Sequence, residues 1–398
     1  MGALPLAGIR VLDLSSIIAA PVTATMLGDF GADIVKVEEP GRGDFMRRSA
    51  ARPGGRSLHW LQDGRNKRSV TLDLRRPEGR AIVHRLLPHF DAMVTNFRPP
   101  TLERWGLDPA AIRARHPRLV ALYVTGYGLT GPYRDRGGFD RIASAFAGLT
   151  HVSGESERPA VRSGYATIDY MAAYMGAFAV VTALYHRDRH GGSGQAIDLA
   201  LYEPGFRASE DALLRFAATG EVRTRTGNTN RNIVPANNFR TRDGKELTLH
   251  AGTDSLFRRL AAAMGRPELA SDPRYATNKA RIASQDALYA IIAEWVETQD
   301  LAPLLDALIA AEVPASPVMS IADIAADPHY RARGTVVPVE DAEHGNLLMT
   351  APLPKMSETP GEIRWLGPEL GSSNEEVYRG LLAMSAAELA ALKEAGVI

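Results

Sequence analysis

The chain has 398 residues, 45% of them hydrophobic, with 46 basic residues balancing 46 acidic ones and no cysteine. Such a length and apolar content can bury a large core and imply two or more lobes, while zero formal charge withholds the basic footprint of a nucleic-acid or anionic-membrane binder. The missing cysteine excludes disulfides, thiolate catalysis, zinc–thiolate sites and iron–sulfur clusters.

The first residues, MGALPLAGIRVLDL, show no basic region followed by an apolar stretch and a small-residue cleavage site, so a cytoplasmic protein is expected. From there, short β-branched runs alternate with helical stretches. IRVLDL (9–14), DIVKVE (33–38), SVTLDL (69–74), AMVTNF (92–97) and LVALYVT (119–125) read as strands, with helices near 21–30 and 78–88 between them. That alternation predicts parallel strands joined by crossover helices, an α/β doubly wound sheet. A long helix starts at 169 and leads through HGGSG into a further strand, AIDLAL (196–201). Its apolar run, 170–185, is shorter than the ~20 residues of a membrane span and rich in Ala and Gly, which predicts a buried core helix.

Beyond about residue 225 the pattern changes. TRTGNTNRNIVPANNF is polar and reads as a loop, and ELTLHAG and amphipathic helices near 254–264, 284–298 and 301–311 follow, which together predict a smaller α+β domain. The stretch 313–337 reads as a return path, and SAAELAALKEAG as a closing helix. The expected division is a large domain over 1–205 and 335–398, a small domain over 225–325, and linkers at 206–224 and 326–334.

GYGLTG (126–131) matches the spacing G-x-G-x-x-G after a strand, but Pro132 follows where a dinucleotide-binding turn would open a helix. A glycine bend at the carboxyl end of a strand is the better reading. The ten histidines are scattered, and His186 and His190 sit among charged residues at a helix end, so no metal site is assigned.

Asp169 stands at the threshold of the apolar run. It reads either as a first-turn cap or as a reactive carboxylate at the edge of a dry core. Arg98 and Arg104, six apart in a Pro-broken loop after strand 92–97, can hold a pyrophosphate or ribose phosphate; as exposed arginines they can equally decorate a surface.

Several segments, taken in order, resemble the family III CoA-transferases, which include formyl-CoA and crotonobetainyl-CoA:carnitine transferases. They are residues 6–44, NKRSVTLDL (66–74), VTNFRPPTLERWGL (94–107), GYGLTGPY (126–133) and the Asp169 helix running into GQAIDLALYE. The resemblance covers most of the first 205 residues strongly and the remainder loosely. It implies a Rossmann-like large domain built from both chain ends, a small middle domain, and an interlocked, ring-like homodimer. It places the family's catalytic aspartate on Asp169 and its CoA contacts on Leu72, Arg75, Asn96, Phe97, Arg98 and Arg104. Asp140 matches an assisting carboxylate of some members, and a cap on the 140–148 helix explains it equally well.

Three departures narrow the function. Ile18 stands where formyl-CoA transferase has glutamine, Glu39 where it has arginine, and GNTNRNIVPANN (227–238) where a glycine-repeat loop caps its site. An α-methylacyl-CoA racemase would need a second base where this chain has Phe139, which accepts no proton. The expected activity is therefore transfer of CoA from an acyl-CoA to a small carboxylic acid, with a dicarboxylate as a plausible acceptor. Coenzyme A enters as part of the substrate, with no permanently bound cofactor, nucleic acid or membrane partner. Racemase-like isomerisation and CoA binding without turnover are the alternatives.

Overall fold

The computed structural model describes residues 4–49 and 51–398. Its apolar runs form one six-stranded sheet: β1 (Arg10–Asp13), β2 (Asp33–Glu38), β3 (Lys67–Thr71), β4 (Ala92–Thr95), β5 (Val120–Thr125) and β6 (Ala196–Ala200). The order is β3-β2-β1-β4-β5-β6 and every pairing is parallel. The parallel, doubly wound sheet is as the alternation predicts, and its connections reverse direction between β1 and β4, where such sheets bind ligands.

The helices before β6 are α1 (Ala19–Asp29), α2 (Leu58–Asp63), α3 (Pro77–Leu86), α4 (Pro99–Trp105), α5 (Pro109–Arg115), α6 (Asp140–Phe146), α7 (Leu149–Val152) and α8 (Thr167–His190). Alternate strand residues feed two cores. Leu12, Val35, Met93 and Tyr123 pack with α3, α4 and α5, while Val11, Ile34, Val94 and Leu122 pack with α1 and α8. Because the side-chain period of a strand is two, each strand serves both faces. Truncating a leucine at such a position costs roughly 2–5 kcal/mol.

Helix α8 is, among the described residues, long and apolar enough to cross a membrane by length and composition, at 24 residues. One face, including Ala172, Ala173 and Val180, is buried, and a side chain at Gly176 would meet Thr23 Oγ1 of α1 at 2.8 Å. The opposite face exposes Tyr174, Phe178 and Tyr185.

Two boundaries differ from expectation. The strand expected at 69–74 starts two residues earlier, since Lys67 is buried through bonds from its Nζ to Asp13 Oδ2 (3.0 Å) and the Pro21 carbonyl (2.7 Å). Residues 98–104 are mostly helix α4, because two prolines fit the first helical positions, where no N–H is needed.

The C-terminal segment covers the β3 edge. The Asn374 side chain accepts from Thr71 N at 2.8 Å, and Tyr378 donates its hydroxyl to the Thr71 carbonyl at 2.8 Å. An open edge strand would otherwise invite pairing with another chain. Earlier in this segment, β10 (Val336–Asp341) and β11 (Gly345–Thr350) form an antiparallel hairpin.

The chain divides into two compact units. One comprises Met1–Leu149, Arg162–Leu213 and Pro328–Ile398, and the other Thr150–Val161 and Leu214–Asp327. The second unit contains an antiparallel sheet of β7 (Ala236–Arg240), β8 (Glu246–His250) and β9 (Ala315–Pro317). Its core gathers Phe239, Leu249, Phe257, Leu288 and Ile292. The polar stretch read as a loop therefore ends in strand β7. Its start is tied by the fully buried Arg281, which donates to the Val234 carbonyl at 2.7 Å.

Candidate active site

A cavity of about 710 Å³ opens at the carboxyl ends of the strands around the β1/β4 reversal. Asp169, Leu72, Arg75, Asn96, Phe97, Arg98 and Arg104 all border it. The topology explains this convergence: parallel strands deliver the loops that follow them to one edge of the sheet.

Helix α8 begins at Thr167, so Asp169 lies in its first turn. Only 8% of the residue is exposed, and its carboxylate receives no hydrogen bond among the described residues. Burial pushes its carboxyl up to about 7, and the Asp140 carboxylate adds to the rise. The capping role is filled by Asp140 instead. Its Oδ2 accepts Ile168 N–H at 2.8 Å and Asp169 N–H at 3.4 Å. Asp140 does not border the cavity and is the first residue of α6, whose cap position is Phe139, so the cap it makes is on α8 and not on its own helix.

Asp140 reaches α8 because the preceding loop presses against the end of β5. A Cβ on Gly126 would lie 2.8 Å from Gly138 N, and one on Gly138 would lie 2.7 Å from Gly126 Cα. Glycine at both positions permits this approach. The remainder of GYGLTG is pinned by Asp198, which accepts Leu129 N–H at 2.9 Å, as a bend and not as the start of a helix.

At the other end of the cavity, Arg98 precedes α4 and Arg104 occupies its last turn; both are exposed, and neither forms an ion pair among the described residues. Buried Leu102 and Trp105 anchor α4, with Phe97 edge-on to Trp105 at 4.7 Å between ring centroids. Two unpaired guanidinium groups beside an aromatic ring suit a phosphorylated nucleotide. Arg75 is exposed but already paired, with Asp73 at 2.8 Å and Glu39 at 2.9 Å. Leu72 is buried and contributes an apolar wall. Asn96 spends its amide on Ser16, accepting from its N–H at 2.9 Å and donating to its carbonyl at 2.6 Å.

Sequence reasoning missed the charged layer beneath this cavity. Asp13 lies between Lys36 Nζ (3.6 Å) and Lys67 Nζ (3.0 Å), and Lys36 also pairs with Asp44 at 3.2 Å. Burial alone would raise Asp13, but the two lysines hold it below the usual carboxylate range. The available signal was Asp13, Lys36 and Lys67 lying at or beside the runs expected to form parallel strands, where an unpaired charge is costly.

Asp341, Glu343 and His344 also cluster at the turn between β10 and β11. His344 Nδ1 lies 2.7 Å from Asp341 Oδ1 and its Nε2 lies 2.8 Å from the Pro53 carbonyl, so both ring nitrogens serve the packing of the hairpin.

The family model for CoA-transferase family III matches residues 6–374. The chain is 45% identical to the succinyl-CoA–L-malate CoA-transferase beta subunit of Chloroflexus aurantiacus, over 99% of this chain and 98% of that protein. It is 41% identical to the succinyl-CoA–D-citramalate CoA-transferase of the same organism, again over 99% and 98%. A CAIB/BAIF family protein from Brucella suis has a solved structure that superposes with a TM-score of 0.84 at 32% identity, covering 96% of this chain and all of that one. Full-length agreement in sequence and fold shows that the chain belongs to CoA-transferase family III and is a CoA-transferase.

Proposed function

We infer that the enzyme moves CoA from succinyl-CoA to a small dicarboxylic acid bearing a 2-hydroxyl group, through covalent intermediates on Asp169. The observation carrying the mechanism is a carboxylate buried at the cavity without a hydrogen-bonding partner among the described residues. Poor solvation makes a carboxylate a better nucleophile once it is ionised. The substrates are suggested by the malate and citramalate relatives.

The ionised Asp169 attacks the thioester carbonyl, forming a mixed anhydride and releasing CoA thiolate. The thiolate attacks the aspartyl carbonyl, giving an aspartyl-CoA thioester and free succinate. The acceptor carboxylate then attacks this thioester, again releasing thiolate, which attacks the acceptor's acyl carbon and regenerates Asp169. Acyl activation is conserved at every step, so no ATP is consumed. The N–H groups of Ile18 and Ala19, which border the cavity and have no acceptor among the described residues, supply donors for oxyanions at the start of α1.

Arg98 and Arg104 hold the nucleotide end of CoA, and Arg75 lines the same path from within its ion pairs. The second unit serves as the smaller domain. The working form is a homodimer in the cytoplasm. The exposed apolar side chains Tyr174, Phe178 and Tyr185 on α8 support burial against a second copy.

The test supplies succinyl-CoA with a panel of mono-, di- and hydroxydicarboxylic acids and reads new acyl-CoA by mass. A preference for hydroxydicarboxylates, together with CoA mass on residue 169 when no acceptor is present, is expected. Activity retained in Asp169→Asn without reversion to Asp, or an adduct on another residue, would overturn the mechanism. α-Deuterium in a recovered 2-methylacyl-CoA, at a rate matching transfer, would favour the isomerase instead.

A further inference from the structure

The turn joining β1 to α1 is held on three successive residues. Lys36 on β2 donates to the Ser15 carbonyl, the Asn96 amide brackets Ser16, and both oxygens of the Asp44 carboxylate accept the Ile17 N–H, at 3.2 and 3.3 Å. Asp44 is itself braced. Lys36 Nζ lies 3.2 Å from its Oδ2, and its Oδ1 accepts Met46 N–H at 2.9 Å. Lys36 and Asp44 are 1% and 5% exposed, and Asp44 does not border the cavity.

Held this way, Ile17 adopts φ +73°. That is the left-handed region, where a β-branched side chain crowds its own backbone and a residue persists only if its surroundings impose the conformation. The consequence falls on the next residues. Ile18 and Ala19 are 9% and 6% exposed, yet their N–H groups meet no acceptor among the described residues. They border the same cavity as Asp169, the buried carboxylate without a partner.

We propose that Asp44 is a positioning residue for the transfer reaction: braced by Lys36, it holds Ile17 in the left-handed region and so aims the open N–H groups at the start of α1 toward the acyl oxygen. Asp44 touches neither CoA nor acid. It acts through one backbone dihedral. The proposal rests on the reading of Asp169 as nucleophile. It differs from a purely structural role, in which Asp44 only neutralises buried Lys36 and its loss would lower stability without changing turnover.

The dihedral supplies the test, since glycine enters the left-handed region without steric cost. Asp44→Ala, which leaves no side-chain oxygen to accept the Ile17 N–H, is made in the full-length enzyme, both in the native sequence and in an Ile17→Gly background. For each, the Tm is measured, and kcat and the KM for acyl-CoA are measured well below it. In the native background kcat is expected to fall about 10- to 100-fold, the scale of an ångström-level misplacement, with KM changed less than about threefold. In the Ile17→Gly background the same substitution is expected to cost less than about threefold. Equal losses in the two backgrounds, or a native-background kcat within threefold of the parent, would overturn the proposal. If Asp44→Ala does not fold, the charge-neutral combination Asp44→Ala with Lys36→Met is compared across the same two backgrounds, with the same criteria. Asp169→Asn in the same assay separates the two readings: activity retained there removes the nucleophile, whereas its loss alongside a normal Asp44→Ala removes this proposal alone.

Discussion

The Asp140 carboxylate accepts the Ile168 N–H at 2.8 Å, so the acid that opens α6 caps the helix whose first turn carries Asp169. The cap position of α8, Ala166, has no side-chain hydrogen bond of its own, and Asp140 supplies what the local sequence lacks. One group thus fixes the backbone under Asp169 and adds negative charge beside it.

These two effects separate by substitution. Asp140→Asn keeps a side-chain oxygen for the cap but removes the charge, so Asp169 ionises more readily and the acid limb of the kcat/KM profile moves to lower pH. Asp140→Ala loses the cap as well and is expected to cost about 1 kcal/mol of stability. A pH–rate profile and thermal melts of the two variants check this; an unmoved acid limb in Asp140→Asn would refute the electrostatic part.

Asp169 itself, raised by burial and then by Asp140 to about 7, must be ionised to attack. The kcat/KM for acyl-CoA is therefore expected to rise through pH 7 and to fall about tenfold per unit on the acid side. The stability consequence has the opposite sign. The folded chain retains a proton that the unfolded chain releases from about pH 4 upward, so stability declines as pH rises from about 4 to 7 and is level above. Asp169→Asn removes this penalty. Chemical denaturation at pH 8 is expected to find the variant more stable by about 2–4 kcal/mol, with that slope with pH abolished.

The arginines divide by their existing partners. Arg104 has no ion pair among the described residues, whereas Arg75 is held by Asp73 and Glu39. Arg104→Glu is expected to raise the KM for acyl-CoA by about 10- to 100-fold, on the scale of one to two charge-assisted contacts, and to leave the KM of the free acid nearly unchanged. Arg75→Ala is expected to have the smaller effect on acyl-CoA. Steady-state kinetics with each substrate varied in turn decides; equal effects of Arg104→Glu on both substrates would remove the assignment.

His84 and His116 stack at 6.0 Å between ring centroids, and each has one buried ring nitrogen without a hydrogen-bond partner among the described residues. Burial depresses both pKa values; Arg115 contributes to each, and His84 further depresses His116. An unfolded chain therefore takes up protons near the ordinary histidine value while the folded pair resists them. Stability is fully present above about pH 6.5 and is lost as pH falls below it. Replacing the stacked pair with His84→Phe and His116→Phe should flatten the decline in Tm between pH 6.5 and 5. An unchanged decline would place the acid sensitivity elsewhere.

The sheet and its helices were legible because their causes are local: β-branched runs, turn glycines and the alternation of strand with helix. The resemblance likewise selected Asp169 and the residues around Arg104 one by one. Local pattern misplaced β3 because Lys67 does not look like a buried strand residue until Asp13 is placed beside it. It read 98–104 as a loop because prolines break a helix interior but fit its first turn.

By itself, the amino-acid sequence determined the fold class, the absence of thiol chemistry and the acid to examine first. Tertiary structure decided what those residues do. Asp169 proved buried and without a hydrogen-bond partner among the described residues, Asp140 proved to cap a helix that begins 27 positions later in the chain, and Ile17 proved to be held in a left-handed turn by Asp44. Each depends on groups far apart in sequence brought together by the sheet order, and burial, charge pairing and imposed backbone angles exist only once that packing has formed.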